Sequence, residues 1–164
     1  VSVPLRLNQE QHLHGAGIGY ARTVNAVRRG FEPRHRNGSL WGGSIEGACT
    51  ELAGSLVTGL PWTGETVWET PPREPVPDLG RRTEVRWGER RPLLNFDRDR
   101  DKDSRAYILV TGFAPNYVVH GWILGGDCRR DEWLTVYPER AVYRVPLEAL
   151  NPINRRYGRE EIAG

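Results

Sequence analysis

The stretch Pro77-Asp78-Leu79-Gly80-Arg81-Arg82-Thr83-Glu84-Val85-Arg86-Trp87 holds the side chains best spaced for chemistry. Thr83 to Trp87 has the β-branched and aromatic content of a strand. A strand's period of two puts Glu84 and Arg86 on one face and turns Val85 toward the core. Asp78 lies just before this strand, and a tight bend at Gly80 would bring its carboxylate beside that of Glu84. Two carboxylates with a cation next to them form a hard-oxygen site suited to magnesium. A bare pair repels. A bound ion relieves the repulsion, polarises a phosphate oxygen and lowers the pKa of an attacking water, which is what phosphodiester cleavage needs. The plainer alternatives are that Glu84 and Arg86 face solvent on a half-exposed strand and that Asp78 is a turn former.

Regular elements must hold these residues. Asn8 with Gln11 three positions on has the form of a capping box, and Leu13, Ala16, Tyr20, Val24 and Val27 recur at helical spacing, which predicts an amphipathic helix ending near Arg28, Arg29 and Gly30. Residues 32–43 read as a loop. Ser44 can cap a second helix with Ile45, Ala48, Cys49, Leu52 and Leu56 on one face, stopped by Gly59. Four prolines between Thr70 and Asp78 enforce a loop. Strands are expected at Thr83–Trp87, Leu93–Phe96, Ala106–Thr111, Tyr117–Leu124 and Val142–Val145, with one or two helical turns over Asp127–Trp133 and a short helix at Leu147–Leu150. Helices ahead of a run of strands predict an α/β fold with a mixed central β-sheet flanked by helices.

Other titratable residues offer less. His12, His14, His35 and His120 lack zinc spacing, and His120 reads as structural. Asp97, Asp99, Asp101 and Asp103 alternate with Arg98, Arg100 and Lys102; the interleaved cations and the missing glycine and glutamate exclude an EF-hand, leaving a solvated turn. Cys49 and Cys128 have no metal or redox spacing and read as free thiols.

Pro77-Asp78 followed by Glu84-x-Arg86 on a strand, downstream of a helix bearing Gly47-x-x-x-Glu51, resembles the restriction-endonuclease-like nucleases, whose signature is Pro-Asp and then (Asp/Glu)-x-Lys. The pattern from Ile45 to Pro146 is also similar to that of small phage-encoded proteins, with Glu-Leu-Ala at 51–53, Leu-Val-Thr-Gly at 109–112 and Gly-Trp-Ile at 121–123. The resemblance implies a restriction-endonuclease-like core and a metal-dependent deoxyribonuclease. Asp78 and Glu84 would bind Mg2+ or Mn2+, Arg86 would stand in the lysine's place, and Glu51 would complete the site. Periodicity alone does not choose between Glu51 and Glu46, which border opposite sides of the helix's apolar face; the family pattern favours Glu51. The chain departs from the family by its short spacing between Asp78 and Glu84 and by Arg86, which orients and stabilises charge but cannot act as a base. The alternative is therefore a catalytically inactive nucleic-acid-binding or phage structural protein. In this reading residues 1–43 are an N-terminal helix and loop, 44–150 the nuclease-like core of a single domain, and 151–164 a flexible tail.

Composition agrees with a globular domain: 38% apolar and 27% charged residues over 164 positions. Net charge is only +2, yet residues 1–36 hold six arginines against two glutamates, a local charge of +4. Lys102 is the only lysine, and arginine's fork suits phosphate. Arg28, Arg29, Arg34, Arg36, Arg81 and Arg82 are the expected contacts to DNA, the alternative for the basic N-terminal region being a solvated helix face. With no apolar run long enough for a bilayer and no secretory signal pattern, a cytoplasmic protein without a membrane partner is expected, in the host cytoplasm if phage-encoded. A homodimer is left open.

Overall fold

The computed structural model describes residues 2–30, 40–66, 76–88 and 92–153. In chain order come β1 (Val3–Arg6), α1 (Gln9–Arg28), α2 (Leu40–Thr58), β2 (Thr83–Gly88), β3 (Leu94–Asp97), β4 (Ala106–Phe113), β5 (Asn116–Leu124), β6 (Leu134–Tyr137) and β7 (Arg140–Val145). Short 3-10 turns occupy Gly125–Cys128, Asp131–Trp133 and Leu147–Ala149. Arg34, Arg36, most of both expected loops and the tail beyond Ile153 lie outside the described residues.

The class is α/β, in three layers. One mixed sheet runs β1-β5-β4-β2, with β2 and β4 parallel and the other pairs antiparallel; a second, antiparallel sheet runs β3-β7-β6. Helix α2 lies on one face of the mixed sheet, where Cys49, Leu52 and Ala53 meet Val85, Ile108, Val110 and Val119. The opposite face, with Tyr107, Leu109 and Ile123, is covered by Leu94, Phe96, Tyr143 and Val145 of the second sheet. Helices therefore flank one face only, contrary to the expectation. The reason is visible in β4, whose first five residues are all buried and which must be covered on both sides, and in β7, whose Ala141, Tyr143 and Val145 supply the apolar face of a second sheet.

The capping box of α1 forms as expected: Asn8 Oδ1 accepts the Gln11 N–H and Gln11 Oε1 accepts the Asn8 N–H, each at 2.9 Å. Its buried face is a different one. Gly15, Gly19 and Thr23 are buried, whereas Leu13, Tyr20 and Val27 are 65%, 58% and 54% exposed. At about 100° per residue the buried stripe is turned by roughly a quarter of the helix from the apolar one. Close approach decides this. A Cβ at residue 19 would meet the Ile45 Cα and Ser44 O at 2.5 Å, so only glycine lets α1 and α2 pack at this distance.

Further differences have local causes. Helix α2 starts at Leu40, so Ser44 lies inside it rather than capping it, and Leu56 is 41% exposed. Strands β1 and β6 were not expected from the sequence; each is four residues long and edges a sheet. Of the expected flexible tail, Asn151 pairs with Trp122 through two backbone hydrogen bonds and Ile153 is buried in the core.

Candidate active site

The site begins with a miniature ribbon. Leu79 bridges both Trp62 and Thr83; the Leu79 N–H donates to Thr83 O at 3.0 Å and the Thr83 N–H to Leu79 O at 3.2 Å. Gly80 turns the chain between them with φ +55°, a left-handed conformation that favours glycine. The Thr63 N–H and hydroxyl both donate to Asp78 O, at 3.1 and 2.9 Å. Asp78 is thereby fixed on the neighbouring backbone, and its Oδ2 accepts the Val85 N–H at 2.8 Å. The tight bend expected at Gly80 exists, and it carries Asp78 back to β2.

On β2, Val85 enters the core while Glu84 and Arg86 lie opposite Tyr107 and Leu109 of β4. Both are half-buried, which excludes simple solvent-facing residues. Glu51 projects from the middle of α2, buried, and is gripped by Arg22 of α1 in a two-pronged ion pair of 2.6 and 2.8 Å. Trp62 Nε1 adds a third donor to Glu51 at 3.0 Å, and Arg22 Nε donates to Glu65 O at 2.7 Å. Glu46 is elsewhere: its Oε2 accepts the Tyr117 hydroxyl at 2.8 Å and the Ala114 N–H at 3.2 Å. The structure thus separates the two helix glutamates, and Glu51 is the one beside Asp78.

Electrostatics tie the three carboxylates together. The Asp78 carboxyl is held well above the ordinary carboxylate range, first by burial and then by the negative charges of Glu51 and Glu84; the Val85 N–H and Arg86 pull the other way without cancelling this. Glu84 is better compensated. Arg105, itself buried, pairs with its Oε1, and Arg86 Nη1 stands 3.7 Å from its Oε2. Arg86 is anchored on its other side by Asp101 at 2.6 Å and lies over the Tyr107 ring, 4.9 Å from its centroid. Burial alone would lower the guanidinium's pKa, but the charges of Asp101, Glu84 and Asp78 outweigh it and hold Arg86 above its ordinary value.

The four residues expected at the site, Glu51, Asp78, Glu84 and Arg86, are therefore brought into one electrostatic cluster. Arg22, Trp62, Asp101 and Arg105 were missed. Asp101 was hidden in the Asp/Arg alternation read as a solvated turn; its carboxylate accepts the Asp97 N–H at 2.7 Å as well as pairing Arg86. Among the expected DNA contacts, Arg81 is exposed and Arg82 half-buried in the turn of the Asp78 ribbon, while Arg28 and Arg29 are exposed roughly 10 Å along α1 from Arg22. His120 is held at both ring nitrogens, 3.0 Å from Ser2 Oγ and 2.7 Å from Thr111 Oγ1. Both cysteines are free and buried.

The donor chemistry fits a hard divalent cation, since Asp78 and Glu84 supply oxygens and a cation would relieve the charge pressing on Asp78. Guanidinium groups now take that part at Glu84 and Glu51. Among the described residues, no three His, Cys, Asp or Glu side chains form a ready-made metal cage. No helix among them is long and apolar enough to cross a membrane. No protein-family model, curated protein or solved structure matches the chain.

Proposed function

We propose that the protein is a metal-dependent deoxyribonuclease with a restriction-endonuclease-like core, hydrolysing DNA phosphodiester bonds at Asp78, Glu84 and Glu51. The observation that carries this reading is the carboxyl of Asp78, fixed on the Val85 N–H and close enough to the carboxylates of Glu51 on α2 and Glu84 on β2 for their charges to act on it. A fold seldom retains such a cluster for stability, because like charges brought together out of water cost free energy. The same ordering of a helix glutamate, an aspartate before a strand and Glu-x-Arg on the strand supports the fold assignment.

Asp78 and Glu84 would hold Mg2+ or Mn2+, which when bound polarises a phosphate oxygen and makes a water acidic enough to attack. Arg22 and Trp62 fix the Glu51 carboxylate. Arg86, always charged, balances negative charge on the phosphate and is kept in place by Asp101. The test is cleavage of linear, branched and single-stranded DNA with magnesium, manganese, calcium or chelator. Activity with magnesium or manganese that disappears in chelator and in Asp78→Asn supports the assignment; full activity in chelator removes the metal from it.

A second reading has its own observation. Arg105 and Arg86 both neutralise Glu84, an arrangement suited to a site that has lost its metal and kept its fold. This catalytically inactive nucleic-acid-binding or phage structural protein would bind DNA and cleave none of the three forms.

A further inference from the structure

The second sheet has a solvent face of its own. In β7, Ala141, Tyr143 and Val145 lie on the core face, so Arg140, the buried Val142 and Arg144 lie on the opposite one. The register sets Asn95 opposite Arg144 and Tyr137 opposite Arg140, which gathers these side chains on one side of the sheet. Arg100, from the turn after β3, and Arg86, from the site, close the end of a cleft of about 360 Å³.

The charges of this cleft do not cancel. Arg86 is paired with Asp101, and Asp97 Oδ1 accepts the N–H groups of Asp99 and Arg100, both at 3.1 Å. Arg100, Arg140 and Arg144 take part in no ion pair among the described residues, and Arg140 lies only over the Tyr137 ring, 5.8 Å from its centroid. Three guanidinium groups around one concavity repel each other until an anion enters, and their forked donors match phosphate oxygens. Tyr137, 42% exposed, adds an aromatic face on which a base can stack. The volume is near the lower end of ligand sites, enough for a phosphate with its sugar and too small for a duplex.

We infer that the cleft between Arg100, Arg140 and Arg144 is a phosphate-ester site that holds a nucleic-acid strand next to the carboxylate cluster, with Arg86 as the shared wall. The inference rests on the nuclease reading for its choice of strand over free nucleotide, whereas the phosphate chemistry stands on the cleft alone. It is tested by fluorescence anisotropy of a labelled oligothymidylate in chelator, where no cleavage occurs, with wild type, the Arg100→Ala/Arg144→Ala double variant and Arg98→Ala as a charge control, each checked by thermal melting.

The double variant should bind at least tenfold more weakly, and its dependence of log K on log salt should flatten by about 1.4, two single-strand phosphate contacts at roughly 0.7 each. Arg98→Ala should match wild type, because Arg98 is already paired with Asp99 outside the cleft. Thymidine monophosphate and inorganic phosphate serve as competitors. Weak competition by both assigns the cleft to a strand; competition by the monophosphate at the oligonucleotide's own affinity assigns it to a free nucleotide and overturns the strand. Unchanged affinity and salt slope in a folded double variant overturn the site altogether. Cleavage measured separately distinguishes the two ideas: strand binding that depends on the cleft without any cleavage removes the nuclease and leaves the cleft standing.

Discussion

Asp101 grips Arg86 across the turn between β3 and β4, with Oδ1 2.6 Å from Nη2, and so sets how far the guanidinium can lean toward Glu84, 3.7 Å away. Arg86→Ala should lose on the order of 100- to 1,000-fold in cleavage rate, as is common when one preorganised electrostatic contact is removed. Arg86→Lys should retain measurable activity, since it keeps the charge and gives up the fork. Asp101→Asn should fall between wild type and Arg86→Ala, with its loss absent in the Arg86→Ala background, because Asp101 acts through Arg86. Additive losses in that double-mutant cycle would show that Asp101 acts independently.

Asp78 makes stability depend on pH in a defined direction. Its carboxyl is raised in the folded protein, first by burial and then by Glu51 and Glu84, so between the ordinary carboxylate range and that raised value the folded state holds a proton that the unfolded chain has released. Stability therefore falls as pH rises through this interval, and the loss persists above it. Asp78→Asn retains an oxygen for the Val85 N–H and abolishes the titration. Near pH 4 it should melt with wild type; near pH 8 it should melt higher, by about 1.4 kcal/mol for each unit the carboxyl is displaced. Equal melting curves at both pH values would show that Asp78 is not under this pressure.

Glu84 should respond in the opposite sense, although sequence alone casts both residues as one repelling pair. Removing its carboxylate by Glu84→Ala takes away a carboxylate that pairs Arg105, whose side chain is only 9% exposed, and one that faces Arg86. Breaking a buried pair on one side costs on the order of 3 kcal/mol. Chemical denaturation should show Glu84→Ala clearly destabilised and Glu84→Gln less so. A Glu84→Ala variant as stable as wild type would show that the Glu84 carboxylate is not needed to keep the buried arginines in place.

The packing of α1 reverses the usual ranking of residue types. Gly19→Ala should destabilise by about 1–3 kcal/mol, because the added carbon meets backbone atoms of α2 that cannot step aside. Leu13→Ser, at a position 65% exposed, should change stability by less than about 0.5 kcal/mol. The two melts side by side decide which face of α1 is inside.

What the sequence determined is local. The Asn8 and Gln11 cap, the turn at Gly80 and the alternation that sends Val85 to one face and Glu84 to the other all follow from propensities acting within a few residues. The strand segments from Thr83 onward were legible for the same reason, apart from β6; it and β1 at the other end of the chain, four residues each, form strands only because β7 and β5 lend them hydrogen bonds. Tertiary structure decided the rest. Which face of α1 is buried depends on how closely α2 can approach glycine, a matter of shape that hydrophobic periodicity does not record. Which helix glutamate joins Asp78 depends on Arg22 and Trp62, 29 and 11 residues from Glu51 along the chain. Whether Glu84 stands bare or neutralised depends on Arg105, 21 residues away and carried to it by the parallel pairing of β2 with β4. A charge is felt across space rather than along the chain, so the partners that set the chemistry of Asp78, Glu84 and Arg86 became visible only when the fold had brought them within a few ångströms.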